Sequence, residues 1–467
     1  MKRINRLISL LLAAAIGFTS LFSGSVTANA ASTNSAKVSA ARIWDGTADT
    51  SWFTNDKDTY NISTAEQLAG LAQLVNRAAH GDRFRGVTIN LTNDIILNDT
   101  TNWKKWKTDP PKNLWDPIGE EGSPVLGYRP FAGHFNGNGH TISGMDVNTS
   151  EYSGLFCYTS GAIIRNLKIE KSVVVSTNHS GALIGLSESS YVDCCEVRDV
   201  YIYSKQSAGG LIGEAKYINV VGPFLMTALM GFGILINPLI IAAGDNGESC
   251  GTYVNNSKAV NIKVSVENSW SNPPAGGIVG NASENCGVYN CLTVNGTFSS
   301  VDTINYGGTT HTGECGAILG SGNGVLKNCY TYNFKRADKN SARIDKASVK
   351  AVTKKTLYSQ SFAKKMGDSF EYMKNSMPVL TAINTPSIDI VISGTKAYAS
   401  WNAVKNAVKY KVYYKSNGKY KLYTTVTSPK VTINGSGAGK RFDLLIRAYY
   451  SDGSYKTING GKFSLYT

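Results

Sequence analysis

Ser180-Gly181-Ala182-Leu183-Ile184-Gly185 is a six-residue block that the chain repeats. It returns as Ser153-Gly154-Leu155-Phe156, as Gly209-Gly210-Leu211-Ile212-Gly213, as Gly276-Gly277-Ile278-Val279-Gly280 and as Gly316-Ala317-Ile318-Leu319-Gly320. Gly154, Gly181 and Gly209 follow one another at steps of 27 and 28 residues. Behind most copies comes a second strand-like piece ending in Asn or Cys: Ile164-Arg165-Asn166-Leu167, Val192-Asp193-Cys194-Cys195, Tyr289-Asn290-Cys291 and Leu326-Lys327-Asn328-Cys329. Short strands with glycine corners, repeating with a period in the twenties and no helical periodicity, are the signature of a β-solenoid, whose coils bury a face only by stacking on their neighbours.

Composition agrees with that reading. The 467 residues are 42% hydrophobic and 17% charged, as in an ordinary globular chain, and 47 glycines with 25 tyrosines favour turn-rich β structure over a helical bundle. Lys2, Arg3 and Arg6, the apolar run Leu7 to Ile16 and the small-x-small site Ala28-Asn29-Ala30 read as a secretory signal peptide over residues 1–30. The expected compartment is therefore secreted, extracellular and cell-surface associated. No sorting motif or wall-anchor tail is visible up to Thr467, so attachment is expected to be non-covalent or absent.

The repeats resemble the GLUG repeats of secreted and surface proteins of bacteria, which are similar to the right-handed parallel β-helices of filamentous adhesins. Ile43-Trp44-Asp45-Gly46 with Trp52, Ile62 to Leu68 and Pro130 to Ile142 extend the match, which covers roughly residues 43–334. The resemblance implies an all-β fold: a right-handed parallel β-helix, with an N-terminal cap and first coils over 31–150 and GLUG coils over 151–334. Within the opening, Ser63 with Glu66 forms a capping box, and Leu68, Leu71, Ala72 and Val75 share one helical face, predicting a short helix that plugs the end of the stack. His134 and His140 are expected on turns, binding nothing.

Residues 335–385 are lysine-rich and helical in tendency, and are expected to cover the edge of the last coil. From Pro386 to Thr467 alternating strands around Trp401 and Tyr410-Lys411-Val412-Tyr413-Tyr414 resemble a fibronectin type III module, a small β-sandwich that usually spaces or binds. Residues 220–244 carry no charge and interrupt the third repeat; a packed or interfacial helical excursion, a true membrane span and a sequence anomaly are all open. Eight cysteines, six of them from Cys194 to Cys315, allow either disulfides or an inward ladder of thiols, with Cys194, Cys291 and Cys329 in equivalent places. No CxxC pair is present to favour zinc, and no cofactor is implied.

Charge is divided along the chain. Residues 32–334 hold 20 Lys/Arg against 26 Asp/Glu, whereas residues 335–467 hold 24 against 7. On an exported protein such a basic tail is either a solubilising surface with no partner or a contact for anionic wall polymers, acidic glycans, lipid head groups, or a host or neighbouring-cell surface, and not for nucleic acid. The run Lys409, Lys411, Lys415, Lys419 and Lys421, with Tyr413 and Tyr420 between, is the candidate contact. Trp103, Trp106 and Trp115 beside Lys104, Lys105 and Lys107 form a second candidate, an aromatic and basic glycan platform. No His-Glu-x-x-His helix or Gly-x-Ser-x-Gly elbow occurs. The expected function is thus non-catalytic adhesion or association with glycan or wall polymer. The alternative is a polysaccharide-degrading β-helix enzyme, for which Asp193, Glu196 and Asp199 are the nearest carboxylates.

Overall fold

The structure is a computed structural model describing residues 42–78, 84–123, 127–217, 251–268, 273–306, 309–337, 342–343, 348–367, 369–380, 388–393, 396–401, 403–404, 406–416, 419–434, 441–458 and 464–466. The signal-peptide segment, the apolar stretch 220–244 and Cys250 lie outside the described residues. Among those described, no helix is long and apolar enough to cross a membrane.

The chain is predominantly β, and from Thr59 to Ala351 its principal sheets, one of eight strands, one of thirteen and two of five, are parallel except for the antiparallel strand Thr309–Thr312 of the largest. Each repeat from Phe156 onward sends one strand to each of the smaller parallel sheets and one or two parallel strands to the largest. Ile163–Arg165 pairs with Tyr191–Asp193, which pairs with Tyr253–Asn255 and so on to Val325–Lys327. Equivalent residues in the first pair of repeats are 28 apart, as in Thr159 and Ser187; later steps are 62, 34 and 38. Register survives these unequal steps because a one-residue slip would turn every inward side chain outward. Ile164, Val192, Val254, Val288 and Leu326 stack accordingly in one buried row.

The glycine block has a steric cause. A Cβ on Gly181 would lie 2.3 Å from the Ile184 carbonyl oxygen, and one on Gly277 would lie 1.8 Å from that of Ala317. Neither glycine has a positive φ, so these corners need glycine for room. Two rows of left-handed corners are filled mainly by other residues: Asn166, Cys194, Asn256, Asn290 and Asn328 at one, Lys171, Asp199, Asn261, Asn295 and Asn333 at another, all with φ between 45° and 56°. Asparagine suits both requirements there, tolerating the conformation and bonding its neighbour. Asn328 Nδ2 donates to Asn290 Oδ1 at 2.8 Å and Asn290 to Asn256 at 3.2 Å; Asn333, Asn295, Asn261 and Asp199 form the parallel ladder.

Cys194 therefore belongs to the asparagine row, and Cys195, rather than Cys194, is equivalent to Cys291 and Cys329. Ser257 stands between them. Each donates to the carbonyl two residues earlier, Cys195 to Asp193, Ser257 to Asn255, Cys291 to Tyr289 and Cys329 to Lys327. The thiols are buried and unbridged, and burial pushes Cys195 up to about 12 and Cys329 to about 11, which keeps them protonated donors.

The predicted N-terminal helix spans Ala65–Asn76 and buries Leu68, Leu71, Ala72 and Val75 in the main core. Its cap lies one residue later than the sequence pattern suggests. Thr64 accepts from Gln67 N and Gln67 Oε1 accepts from Ser63 N, while Glu66 turns out to pair with Arg42 at 2.7 Å. The basic segment after the repeats also departs from expectation. Val349–Ala351 does extend the large sheet beyond Cys329–Tyr332, but Leu357, Phe362, Met366, Phe370 and Leu380 then fold back over the outward side chains Val260, Leu292, Val294 and Tyr330. Lys258 is sealed beneath them, its Nζ 3.1 Å from Glu196 and 3.0 Å from the Pro378 carbonyl oxygen. An apolar outer stripe on three successive repeats explains why the segment covers a face and not only an edge.

Beyond residue 387 the pairing becomes antiparallel. A three-stranded sheet, Ile388–Ser393, Lys396–Trp401 and Lys430–Asn434, and a five-stranded one built on Lys409–Ser416 and Arg441–Tyr449 enclose a separate core. Trp401 meets Tyr410 edge-on at its centre, 5.3 Å between centroids.

Candidate functional site

The five-stranded antiparallel sheet alternates as a half-buried surface requires: Tyr410, Val412, Ile446 and Ala448 point into the core, so Lys409, Lys411, Tyr413, Arg447 and Tyr449 point out. Across the sheet Lys411 faces Arg447, and Tyr449 faces Tyr455 on the next strand, Tyr455–Ile458. Two cations are thereby set among three tyrosines. The Arg447 guanidinium lies 4.5 Å from the Tyr455 ring centroid and 5.1 Å from that of Tyr413, and Lys411 Nζ lies 4.7 Å from Tyr449. The Tyr413 and Tyr449 hydroxyls are 3.1 Å apart. That bond, with Lys411 and Arg447 close by, pulls the Tyr449 phenol below its usual range, while partial burial pushes Tyr413 up. Tyr455 is 50% exposed, so the platform is open to solvent. Cations fixed over aromatic faces beside open rings suit a ligand carrying both negative charge and apolar edges.

The five lysines read from sequence do not form one cluster. Lys409, Lys411 and the backbone position of Lys415 alternate on the Tyr413 side, where Lys415 faces Tyr420; the Lys415 side chain lies outside the described residues. Lys421 faces Tyr414 and Lys419 faces Ser416, which puts both on the opposite side. A bulge at Tyr423, between the pairs Val412/Thr424 and Tyr413/Leu422, changes the phase of the second strand. Arg447, Tyr449 and Tyr455, missed in the sequence, come from strands far along the chain. The signal that could have found them is the alternation Leu445-Ile446-Arg447-Ala448-Tyr449 itself.

The tryptophan platform does not assemble. Trp115 belongs to the main core, edge-on to Trp44 with centroids 5.9 Å apart, its Nε1 donating to the Leu155 carbonyl. Trp103 and Trp106 are buried on Val173 by the 3-10 turn Thr100–Lys105. Their apolar surface is spent on packing, and the lysines beside them are exposed, with only Lys104 reaching a tryptophan ring, its Nζ 5.8 Å from the Trp103 centroid.

The three carboxylates of the alternative reading also serve separate purposes. Asp193 accepts from Asn256, Glu196 pairs with Arg198 and Lys258, and Asp199 ends an asparagine ladder. Burial would raise Glu196, but Lys258 and Arg198 hold it below the usual carboxylate range. A further group unites Ser207, His179 and Glu214: Ser207 Oγ is 2.7 Å from His179 Nδ1, and His179 Nε2 is 2.8 Å from Glu214 Oε2. Its composition is that of a hydrolytic triad, but Ser207 is buried and donates to the Gly213 carbonyl at 3.0 Å, so its hydroxyl is not presented to a substrate. Among the described residues no group of His, Cys, Asp and Glu can hold a metal ion.

Comparison with known protein families finds no match. Over 175 residues, 36% of its length, the chain is 27% identical to Halomucin of Haloquadratum walsbyi, and it spans only about 2% of the length of that relative.

Proposed function

We propose that the chain is an exported, cell-surface, non-catalytic protein: a right-handed parallel β-helix of GLUG-type repeats that projects a scaffold, with a fibronectin type III-like module that attaches it to an anionic cell-wall polymer or glycan. In-register parallel pairing across unequal repeats supports the β-helix. The similarity to Halomucin over 175 residues supports the surface setting. The observation that carries the attachment is the Lys411, Arg447, Tyr413, Tyr449 and Tyr455 face, in the stretch 335–467 where 24 basic residues meet 7 acidic ones.

The full chain is expected to bind immobilised teichoic acid and polygalacturonate at low salt. It should release both as the screening length falls from about 10 Å at 0.1 M to about 3 Å at 1 M. Lys411→Gln with Arg447→Gln should lower affinity for both at least tenfold without changing the melting temperature. Affinity indifferent to salt and to both substitutions would overturn the attachment role and leave the basic tail a solubilising surface.

A further inference from the structure

The outer face of the thirteen-stranded sheet is covered at two places and open between them. On one side Trp103 and Trp106 lie on Val173, with Val175 packed against them and Tyr201 and Tyr203 at their rim; on the other Leu357, Phe362, Met366, Phe370 and Leu380 lie on Val260, Leu292, Val294 and Tyr330. The stripe left between runs across strands: Tyr201 faces Lys263, which faces Thr297, which faces the exposed Lys335, and alongside it Tyr203 faces Ser265 and Ser299.

Two of the three cations on this stripe, Lys107 and Lys263, are held against rings. Lys107 Nζ sits 3.9 Å from the Tyr203 centroid, and Lys263 Nζ sits between the two tyrosines, 5.6 Å from Tyr201 and 5.8 Å from Tyr203. Tyr201 is itself fixed against Trp103, 4.7 Å between centroids. A lysine docked on a ring has already surrendered much of its rotamer freedom, so it loses less on meeting an anion than a free surface lysine does. Lys263 and Lys335 stand two strand spacings apart, about 10 Å. The stripe thus offers ammonium groups at intervals, with the hydroxyl residues Ser265, Thr297 and Ser299 between them and Glu267 at one border.

We propose that this stripe is a second binding site, separate from the C-terminal module, for a linear acidic polysaccharide lying along the stacking direction of the repeats. Hydroxyls and spaced ammoniums match a chain of sugar hydroxyls and carboxylates. A nucleic acid strand fits less well, since the tyrosine faces that would stack bases are occupied by lysines.

The test uses the full chain carrying Lys409→Gln, Lys411→Gln and Arg447→Gln, so that the C-terminal face is silenced, with polygalacturonate, neutral dextran and single-stranded poly(dT) as probes. Residual polygalacturonate binding is expected, with dextran inert and poly(dT) weaker. Adding Lys107→Gln, Lys263→Gln and Lys335→Gln should reduce it at least tenfold at an unchanged melting temperature. Should these lysine changes alter the melt, Tyr201→Phe with Tyr203→Phe, which keeps both rings, is expected to weaken binding severalfold by removing hydroxyls alone. No residual binding, binding indifferent to both sets of changes, or tighter binding of poly(dT) would each overturn the site. Because the C-terminal face is already disabled, failure here is distinct from failure of the module to attach.

Discussion

The parallel repeats and the C-terminal module meet the same need, burial of one face of a sheet, with different residues. In the repeats the requirement is room and periodic polar bonding: glycines where carbonyls crowd, asparagines at left-handed corners, a thiol or serine donating to the equivalent carbonyl in four successive repeats. In the module each strand is met once, so the core is made of large unique side chains such as Trp401 and Tyr410, and the outer face is free to carry cations and tyrosines. A repeated architecture constrains its sequence at every period, whereas a small antiparallel unit constrains it only at core positions. Binding chemistry accordingly gathers on surfaces that the stacking rule leaves alone.

Glycine substitution should break this comparison most sharply. Gly277→Val places a side chain against the Ala317 carbonyl, with no flexible neighbour to yield, and is expected to cost more than about 4 kcal/mol and abolish cooperative unfolding of the repeats in urea. Gly453→Ala in the module meets nothing within 4 Å and carries only the strain of its φ of 84°, about 1–2 kcal/mol. Equal costs at the two sites would show that the repeat corners can relax.

The repeats also bury ionisable groups, and two of them should shift stability with pH in opposite directions. Asp146 is 3% exposed and burial raises its carboxyl to about 7, so the folded chain favours the protonated form. Its contribution is full below pH 4 and is lost as pH climbs through 7; Asp146→Asn should therefore stabilise by up to about 4 kcal/mol at pH 8 and do little at pH 4. Burial also works to raise Glu214, but His179 and Lys216 overcome it and hold the group at about 2. Here the stability is present above pH 4.5 and lost as pH falls towards 2. Glu214→Gln should thus cost about 3 kcal/mol at pH 7, a difference that closes in acid. Thermal melts at pH 2.5, 4, 7 and 8 check both signs.

How much of this was legible beforehand follows from the same contrast. The block around Gly181 and the Asn290-Cys291 pieces announced repeated β units, because stacking imposes one residue type at each period. The offset that put Cys195 rather than Cys194 in the thiol row was hidden, since two adjacent cysteines satisfy the pattern equally and only the pairing register separates them. The tryptophans misled because a Trp-Lys-Lys-Trp-Lys run looks the same whether its indoles face water or a neighbouring valine. In the module, Lys419 and Lys421 left the candidate face through one bulged residue, which alternation alone does not reveal. His179, Ser207 and Glu214 meet only after the repeats are laid one on another.

The asparagine ladder supplies a smaller test of periodic bonding. Asn290 has φ 54°, donates to Asn256 and accepts from Asn328. Asn290→Ala should cost about 2–3 kcal/mol by losing both bonds and straining the corner, and Asn290→Gly less, because it keeps the conformation and loses only the bonds. Alanine and glycine variants of equal stability would assign the whole effect to hydrogen bonding.

The smallest expected effect falls on the module's outer face. Tyr413→Phe removes one hydroxyl from an accessible pair and should change stability by less than about 0.5 kcal/mol. It should nevertheless change the titration of its partner. With Tyr413 present, the hydroxyl bond comes first among the influences that hold the Tyr449 phenol below its usual range, ahead of the cations beside it. Spectrophotometric titration of the full chain should therefore show one tyrosine ionising ahead of the others, and Tyr413→Phe should move that phase upward. An unchanged phase would mean that the two hydroxyls do not stay paired in solution. The Lys411 and Arg447 face would then have to order itself on meeting its polymer, with a correspondingly weaker dependence of affinity on each tyrosine.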